Sequence, residues 1–85
     1  MVVYMMQPTI HLNGTSKESL FGQYEKALDA INSAIEAVVQ CAPNGRDYYL
    51  QGPAAYGKAA EEHGARLLRL TDIKAEIMEL AEATA

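Results

Sequence analysis

Apolar residues recur at alternating spacings of three and four along two long segments of the chain, a pattern typical of amphipathic helices. In the first segment these positions are Phe21, Tyr24, Leu28, Ile31, Ile35 and Val38. In the second segment they are Tyr56, Ala60, His63, Leu67, Leu70, Ile73, Ile77 and Leu80. We therefore predict two helices, each of which buries one face against a neighbour.

Local signals set the ends of helix one, which we predict over residues 15–42. Thr15 and Glu18 have the spacing of a capping box, in which each side chain bonds a free amide of the first turn. Pro43 and the turn-forming pair Asn44-Gly45 then end the helix, because proline disfavours a helical residue before it.

Helix two is predicted over residues 53–83. Gly52-Pro53 opens it, since proline is favoured in the first turn of a helix. The connection, residues 43–52, is too short to carry the chain back along a helix of roughly 40 Å, so the two helices run antiparallel. We expect the last residues, 82–85, to fray.

Residues 1–14 are predicted to form an extended arm. Pro8 rules out a helix interior, and the residues from Thr9 to Leu12 alternate between polar and apolar before Asn13-Gly14 turns the chain. A lone strand has no sheet to join within this chain. We therefore expect the arm to lie on a neighbouring subunit or to pair between subunits.

Helix one also carries a second stripe of small residues, Ala27, Ala30, Ala34, Ala37 and Cys41. One partner helix can cover only one of its two stripes, and we expect Cys41 to be a buried space-filler in the second.

A chain of 85 residues is marginal as a monomer, because small domains bury a small share of their surface. The predicted fold class is therefore all-α: an antiparallel helical hairpin with an extended N-terminal arm, assembling as a homo-oligomeric helical bundle. A dimeric four-helix bundle is the simplest such assembly, and a higher ring of hairpins is the alternative.

Composition narrows the choice of partners and location. The excess of 11 Asp+Glu over 7 Lys+Arg, a net charge of −4, leaves no broad basic surface for duplex nucleic acid or an anionic membrane. One cysteine cannot form an intrachain disulfide, which suits a reducing compartment. The apolar start is too short for a signal peptide or a membrane span. These features favour a cytoplasmic protein.

The connection holds the strongest candidate ligand-binding residues. It is longer than a helical hairpin needs, and long ordered connections are often functional. Arg46 offers a planar fork of donors suited to phosphate, and Tyr48 and Tyr49 offer aromatic faces for a base. Asn44 begins a tight turn whose amides can line an anion, and Lys58 lies close enough in helix two to join Arg46.

A purely structural explanation of the connection carries equal weight. Tyr48 and Leu50 can close the end of the bundle, while Arg46 pairs with Asp47 or caps the last carbonyls of helix one.

A second set of candidate donors lies at the start of helix one. Asn13, Thr15 and Ser16 surround a helix N-terminus, where free amides and the helix dipole favour a phosphate. An ordinary N-cap is the alternative. Within one hairpin this set lies at the opposite end from Arg46, but in an antiparallel oligomer it can meet the connection of another chain. A composite site between subunits needs both sets at once.

The sequence lacks the usual signatures of catalysis and of cofactor binding. Its serines and Cys41 stand beside no recognisable base motif, and no Gly-rich phosphate loop occurs. His63 lies on the apolar seam of helix two, where a neutral core histidine is the expected reading. The histidines and Cys41 have no metal-ligand spacing. We expect no enzyme activity, no cofactor and no metal; a small nucleotide-cleaving enzyme with His63 or His11 as base is the least favoured rival.

Two stretches, Pro8–Ser16 and Pro43–Tyr49, look like stretches of small helical proteins found in phages and prophages. In size, hairpin plan and expected oligomerisation the chain is also similar to phage sponge proteins, which sequester cyclic-nucleotide or ADP-ribose-type immune signals in pockets between subunits. This resemblance implies a counter-defence protein of the bacterial cytosol that binds a small phosphorylated nucleotide. It carries over no ligand residues. The alternative function is a helical protein–protein interaction module, either a phage structural accessory or an inhibitor of a host protein.

Overall fold

The computed structural model describes residues 5–85, in which two long helices pack as an antiparallel hairpin. Helix α1 spans Lys17–Gln40 and helix α2 spans Ala55–Ala83. Two short 3-10 turns, Gly45–Asp47 and Tyr49–Gln51, lie between them. We call the end where α1 begins and α2 finishes the open end. The predicted all-α hairpin is confirmed.

The start of α1 is set by Ser16 rather than by Thr15. The Ser16 hydroxyl oxygen accepts a hydrogen bond of 3.1 Å from the amide of Ser19, and the backbone of Ser16 is extended. The predicted capping box began at Thr15, whereas the observed N-cap is the next residue, Ser16. Helix α1 ends at Gln40, two residues before the predicted end, where the amide of the next residue turns back to the last carbonyls.

Helix α2 begins two residues after the predicted start. Gly52 has a φ of 113°, a left-handed conformation that favours glycine because a side chain would strain the backbone. This bend, followed by a turn at Pro53 and Ala54, delays the first helical residue to Ala55.

The end of α2 is well packed, so the expected fraying of residues 82–85 is wrong. Ala81 is buried, and Thr84 is only 2% exposed. The Thr84 hydroxyl donates to the carbonyls of Leu80 at 3.3 Å and Ala81 at 3.1 Å. A threonine can be buried here because its own helix satisfies its hydroxyl.

The face that α2 turns to α1 differs in part from the predicted seam. Tyr56, Ala60 and Ile73 are exposed, while Ala59 and Lys74 lie half-buried. A lysine can take such a position because its aliphatic stem packs while its ammonium stays near water. On α1 the predicted seam is confirmed, since all six of its positions are half-buried.

The small-residue stripe of α1 lies at the edge of this seam. Ala27 and Ala34 are half-buried, whereas Ala30 and Ala37 are exposed. Cys41 is exposed as well, and its thiol donates to the carbonyl of Val38 at 3.2 Å. The expectation of a buried Cys41 is wrong for this chain, because it lies just past the helix end, where α2 does not cover it.

The hairpin has almost no closed core. Among residues 5–85, Ala81 is the single apolar residue that is buried. The accessible surface is 6615 Å², against about 5,000 Å² for a compact protein of this mass. The radius of gyration is 18.3 Å, against about 12 Å for a compact chain of this length. Each helix therefore has apolar surface that the other does not cover.

The described part of the arm runs beside its own chain. Residues 5–16 contain neither helix nor strand, and the amide of Gly14 closes a turn onto the carbonyl of His11 at 3.1 Å. Gln7 shares a surface groove with Glu79 and Glu82 near the end of α2. Residues 1–4 of the predicted arm lie outside the described residues.

None of the helices in residues 5–85 has the length and apolarity that a membrane crossing requires.

Replacing Ser16 by alanine should lower the free energy of unfolding by about 1 kcal/mol, the usual contribution of an N-cap hydroxyl. Thr15→Ala is the matched control, and we expect it to change stability by less than about 0.5 kcal/mol. Urea denaturation at one fixed protein concentration measures both. A larger loss for Thr15→Ala than for Ser16→Ala would contradict the observed cap.

Candidate functional site

The connection is held in shape by its own backbone. The Asn44 side-chain oxygen accepts from the amide of Arg46 at 3.1 Å. The amide of Asp47 donates to the carbonyl of Asn44, and that of Tyr48 to the carbonyl of Gly45, each at 3.0 Å. These three amides are therefore already engaged within the turn, and an anion at the connection would depend on side-chain donors.

Two of the predicted site residues meet at a groove of about 180 Å³, which we call the connection groove. Its lining residues are Tyr48, Gln51, Ala55, Lys58, Ala59 and Glu62. Tyr48 reaches it from the bend between the two 3-10 turns, and Lys58 from the first turn of α2. The groove thus combines an aromatic ring, an amide and an ammonium, with the Glu62 carboxylate on the same side of the helix.

Three other predicted residues of the connection do not line this groove. Arg46, Asn44 and Tyr49 are all exposed, with Arg46 on the surface of the first 3-10 turn. Leu50 is 86% exposed, so it does not close the end of the hairpin in the way that the structural alternative required.

The second predicted donor set lies far from the first. Asn13, Thr15 and Ser16 are exposed at the open end. Helix α1, with 24 residues, separates them from the connection by about 36 Å at 1.5 Å per residue. No single chain brings the two sets together.

The open end carries two apolar grooves that the sequence patterns did not indicate. One, of about 300 Å³, is lined by Phe21, Leu28, Met78, Ala81, Glu82 and Ala85. The other, of about 330 Å³, is lined by Lys17, Glu18, Phe21, Thr84 and Ala85. Because Phe21 and Ala85 belong to both, we treat them together as the open-end groove. The sequence offered one signal for this groove, because Met78 is an apolar residue of helix two that lies outside the predicted seam.

His63, in the first third of α2, is a buried polar side chain. It is 8% exposed, and its Nε2 atom has no hydrogen-bond partner among the described residues. A buried nitrogen without a partner loses its hydration with no compensating bond. Within residues 5–85, no group of three or more His, Cys, Asp and Glu side chains is arranged to hold a metal ion.

In comparisons with known proteins, no family model, curated protein or solved structure matches the chain. The described residues offer a mixed polar and aromatic groove at the connection and an apolar groove at the open end.

Replacing His63 by leucine should raise the free energy of unfolding by about 1 kcal/mol, since it removes a buried nitrogen without a partner and keeps the volume apolar. His11→Leu is the control, because His11 is exposed and should change stability little. Denaturant titration at equal protein concentration gives both values. A loss of stability in His63→Leu would mean that the imidazole has a bonding partner in the working form.

Proposed function

We propose that this protein is a non-enzymatic binding protein whose working form is a homo-oligomer of helical hairpins. The observation that carries the proposal is the exposure of apolar surface along both helices, with Ala81 the single buried apolar residue among residues 5–85. Soluble monomers rarely leave large apolar patches open, and such patches usually mark contacts with other proteins.

The size of the uncovered surface supports an extensive contact. The 6615 Å² of accessible surface exceeds that of a compact protein of this mass by about 1,600 Å². A stable interface buries about 800 Å² on each partner, and obligate homodimers bury considerably more. This surplus includes polar surface and the exposed arm, and its size leaves room on each chain for an interface of the standard size or larger.

Sedimentation velocity across micromolar concentrations tests this proposal. We expect the purified chain to sediment as an assembly of at least twice the 9.3 kDa of one chain. Association is favourable because it removes the apolar surface of the hairpins from water. Chemical unfolding should show a midpoint that rises with protein concentration, as it does for folded oligomers. A stable, folded monomer would contradict the oligomer and leave the exposed helix faces to a different protein.

A second candidate function is sequestration of a small phosphorylated nucleotide, as the resemblance to phage sponge proteins implies. The supporting observation is that Tyr48 and Lys58 line one groove, so an aromatic face and an ammonium are offered side by side. Arg46 lies on the adjacent turn and can add a second cation. In this role the protein would act in the cytosol of a bacterial host as a counter-defence protein, binding its ligand without turning it over.

Isothermal titration with a panel of cyclic dinucleotides and ADP-ribose derivatives tests the second candidate. We expect binding by at least one member, weakened about tenfold or more in Tyr48→Ala and in Lys58→Ala, because stacking and charge pairing are each lost. Lys26→Ala is the control, since Lys26 is an exposed lysine of α1 outside the connection groove. A folded protein that binds no member of the panel would rule out this ligand class.

A further inference from the structure

The two ends of the hairpin have complementary apolar features. At the connection, Leu50 and Tyr49 are 86% and 70% exposed on the second 3-10 turn; we call this pair the connection knob. At the other end, the part of the open-end groove between the helices has almost entirely apolar walls. One end of each chain thus projects apolar side chains, and the other end offers an apolar recess.

We propose that two copies of this chain pack antiparallel, with the connection knob of each copy seated in the open-end groove of the other. This inference rests on the self-association proposed above and adds which surfaces meet. It assigns the partner of the open-end groove as Leu50 and Tyr49 of a second copy. It also explains why a solvent-exposed turn carries two large apolar side chains in succession.

The dimensions of the hairpin fit this arrangement. Met78 lies 23 residues after Ala55, so the groove and the start of α2 are about 35 Å apart along the helix. When two hairpins lie side by side in opposite directions, the connection of each reaches the open end of the other. A two-fold axis makes the contact occur twice, once at each end, which closes the assembly as a dimer.

The groove has room for the knob. The part lined by Phe21, Leu28 and Met78 has a volume of about 300 Å³. An apolar cavity of about half that size accommodates a benzene ring. Glu82 is the one charged residue that lines this part of the groove, and it is exposed, so its carboxylate can stay in water while an uncharged leucine or tyrosine side chain enters. The contact would remove the apolar side chains of both ends from water at once.

Within the described part of the arm, residues 5–16, the apolar side chains of Met6 and Leu12 do not occupy the groove, since both are more than nine-tenths exposed.

Charge substitution with complementation tests the proposal. Leu50→Arg and Met78→Asp should each weaken self-association at least tenfold, because each places a charge in both copies of an apolar contact. Mixing the two variants should restore association to within about tenfold of wild type. The mixed dimer has one unchanged contact and one in which the introduced charges are opposite. Sedimentation velocity of each variant and of the equimolar mixture gives the result.

Ile73→Asp is the matched control. Ile73 is on the same helix and is 48% exposed, close to the 43% of Met78, but the two positions are about 140° apart around the helix axis. We expect this variant to dimerise as wild type does. Equal loss in Ile73→Asp and Met78→Asp, or no recovery in the mixture, would overturn the knob-in-groove contact while the proposed oligomer stands. A monomeric wild type would instead overturn the proposed function itself.

A cross-linking experiment decides the matter if a charged variant fails to fold. In a Cys41→Ser background, Leu50→Cys and Met78→Cys chains are mixed and treated with a short thiol cross-linker. We expect a covalent dimer that contains one chain of each kind, because the two side chains are neighbours in the antiparallel pair. Ile73→Cys mixed with Leu50→Cys is the control. Equal cross-linking of the control pair, or none of the Leu50 and Met78 pair, would overturn the inference.

Discussion

The packing of α1 against α2 is the contact on which the rest of the molecule depends. Two helices can bury only the stripe that each turns to the other, and the flanks of both stripes stay open. The seam of α1 is therefore half-buried along its whole length, and among residues 5–85 only His63, Ala81 and Thr84 are buried. A hairpin of this kind gains little stability from its own core, so covering its flanks would add to the stability of the fold.

The same geometry separates the binding features of the chain. The connection groove, with Tyr48 and Lys58, and the open-end groove, with Phe21 and Met78, lie at opposite ends of a molecule 62 Å long. The two grooves therefore do not meet within one chain. In the antiparallel pair that we propose, the connection of one subunit would lie beside the open end of the other. Self-association would then also complete any site shared between subunits.

The sequence-based expectations fail where a side chain's environment depends on the opposite helix. Ile73 fits the apolar period, yet the neighbouring Lys74 turns inward, because helix rotation is set by packing and a lysine stem tolerates partial burial. The position of Thr84 near the end of the sequence predicted fraying, yet Thr84 is the most buried residue among those described. Its hydroxyl bonds its own helix, and it lines one groove with Lys17 and Phe21 of α1, a proximity that only the closed hairpin creates.

The amino-acid sequence by itself determined two helices, their antiparallel order and an apolar surplus that one chain cannot cover, since these follow from periodicity, turn residues and chain length. Only the tertiary structure decided which flank of the seam is open and where the recesses lie. It also decided that Leu50 projects into solvent while Tyr48 turns toward α2. These features depend on the rotation of each helix about its axis and on the bend at Gly52, which local sequence signals do not specify.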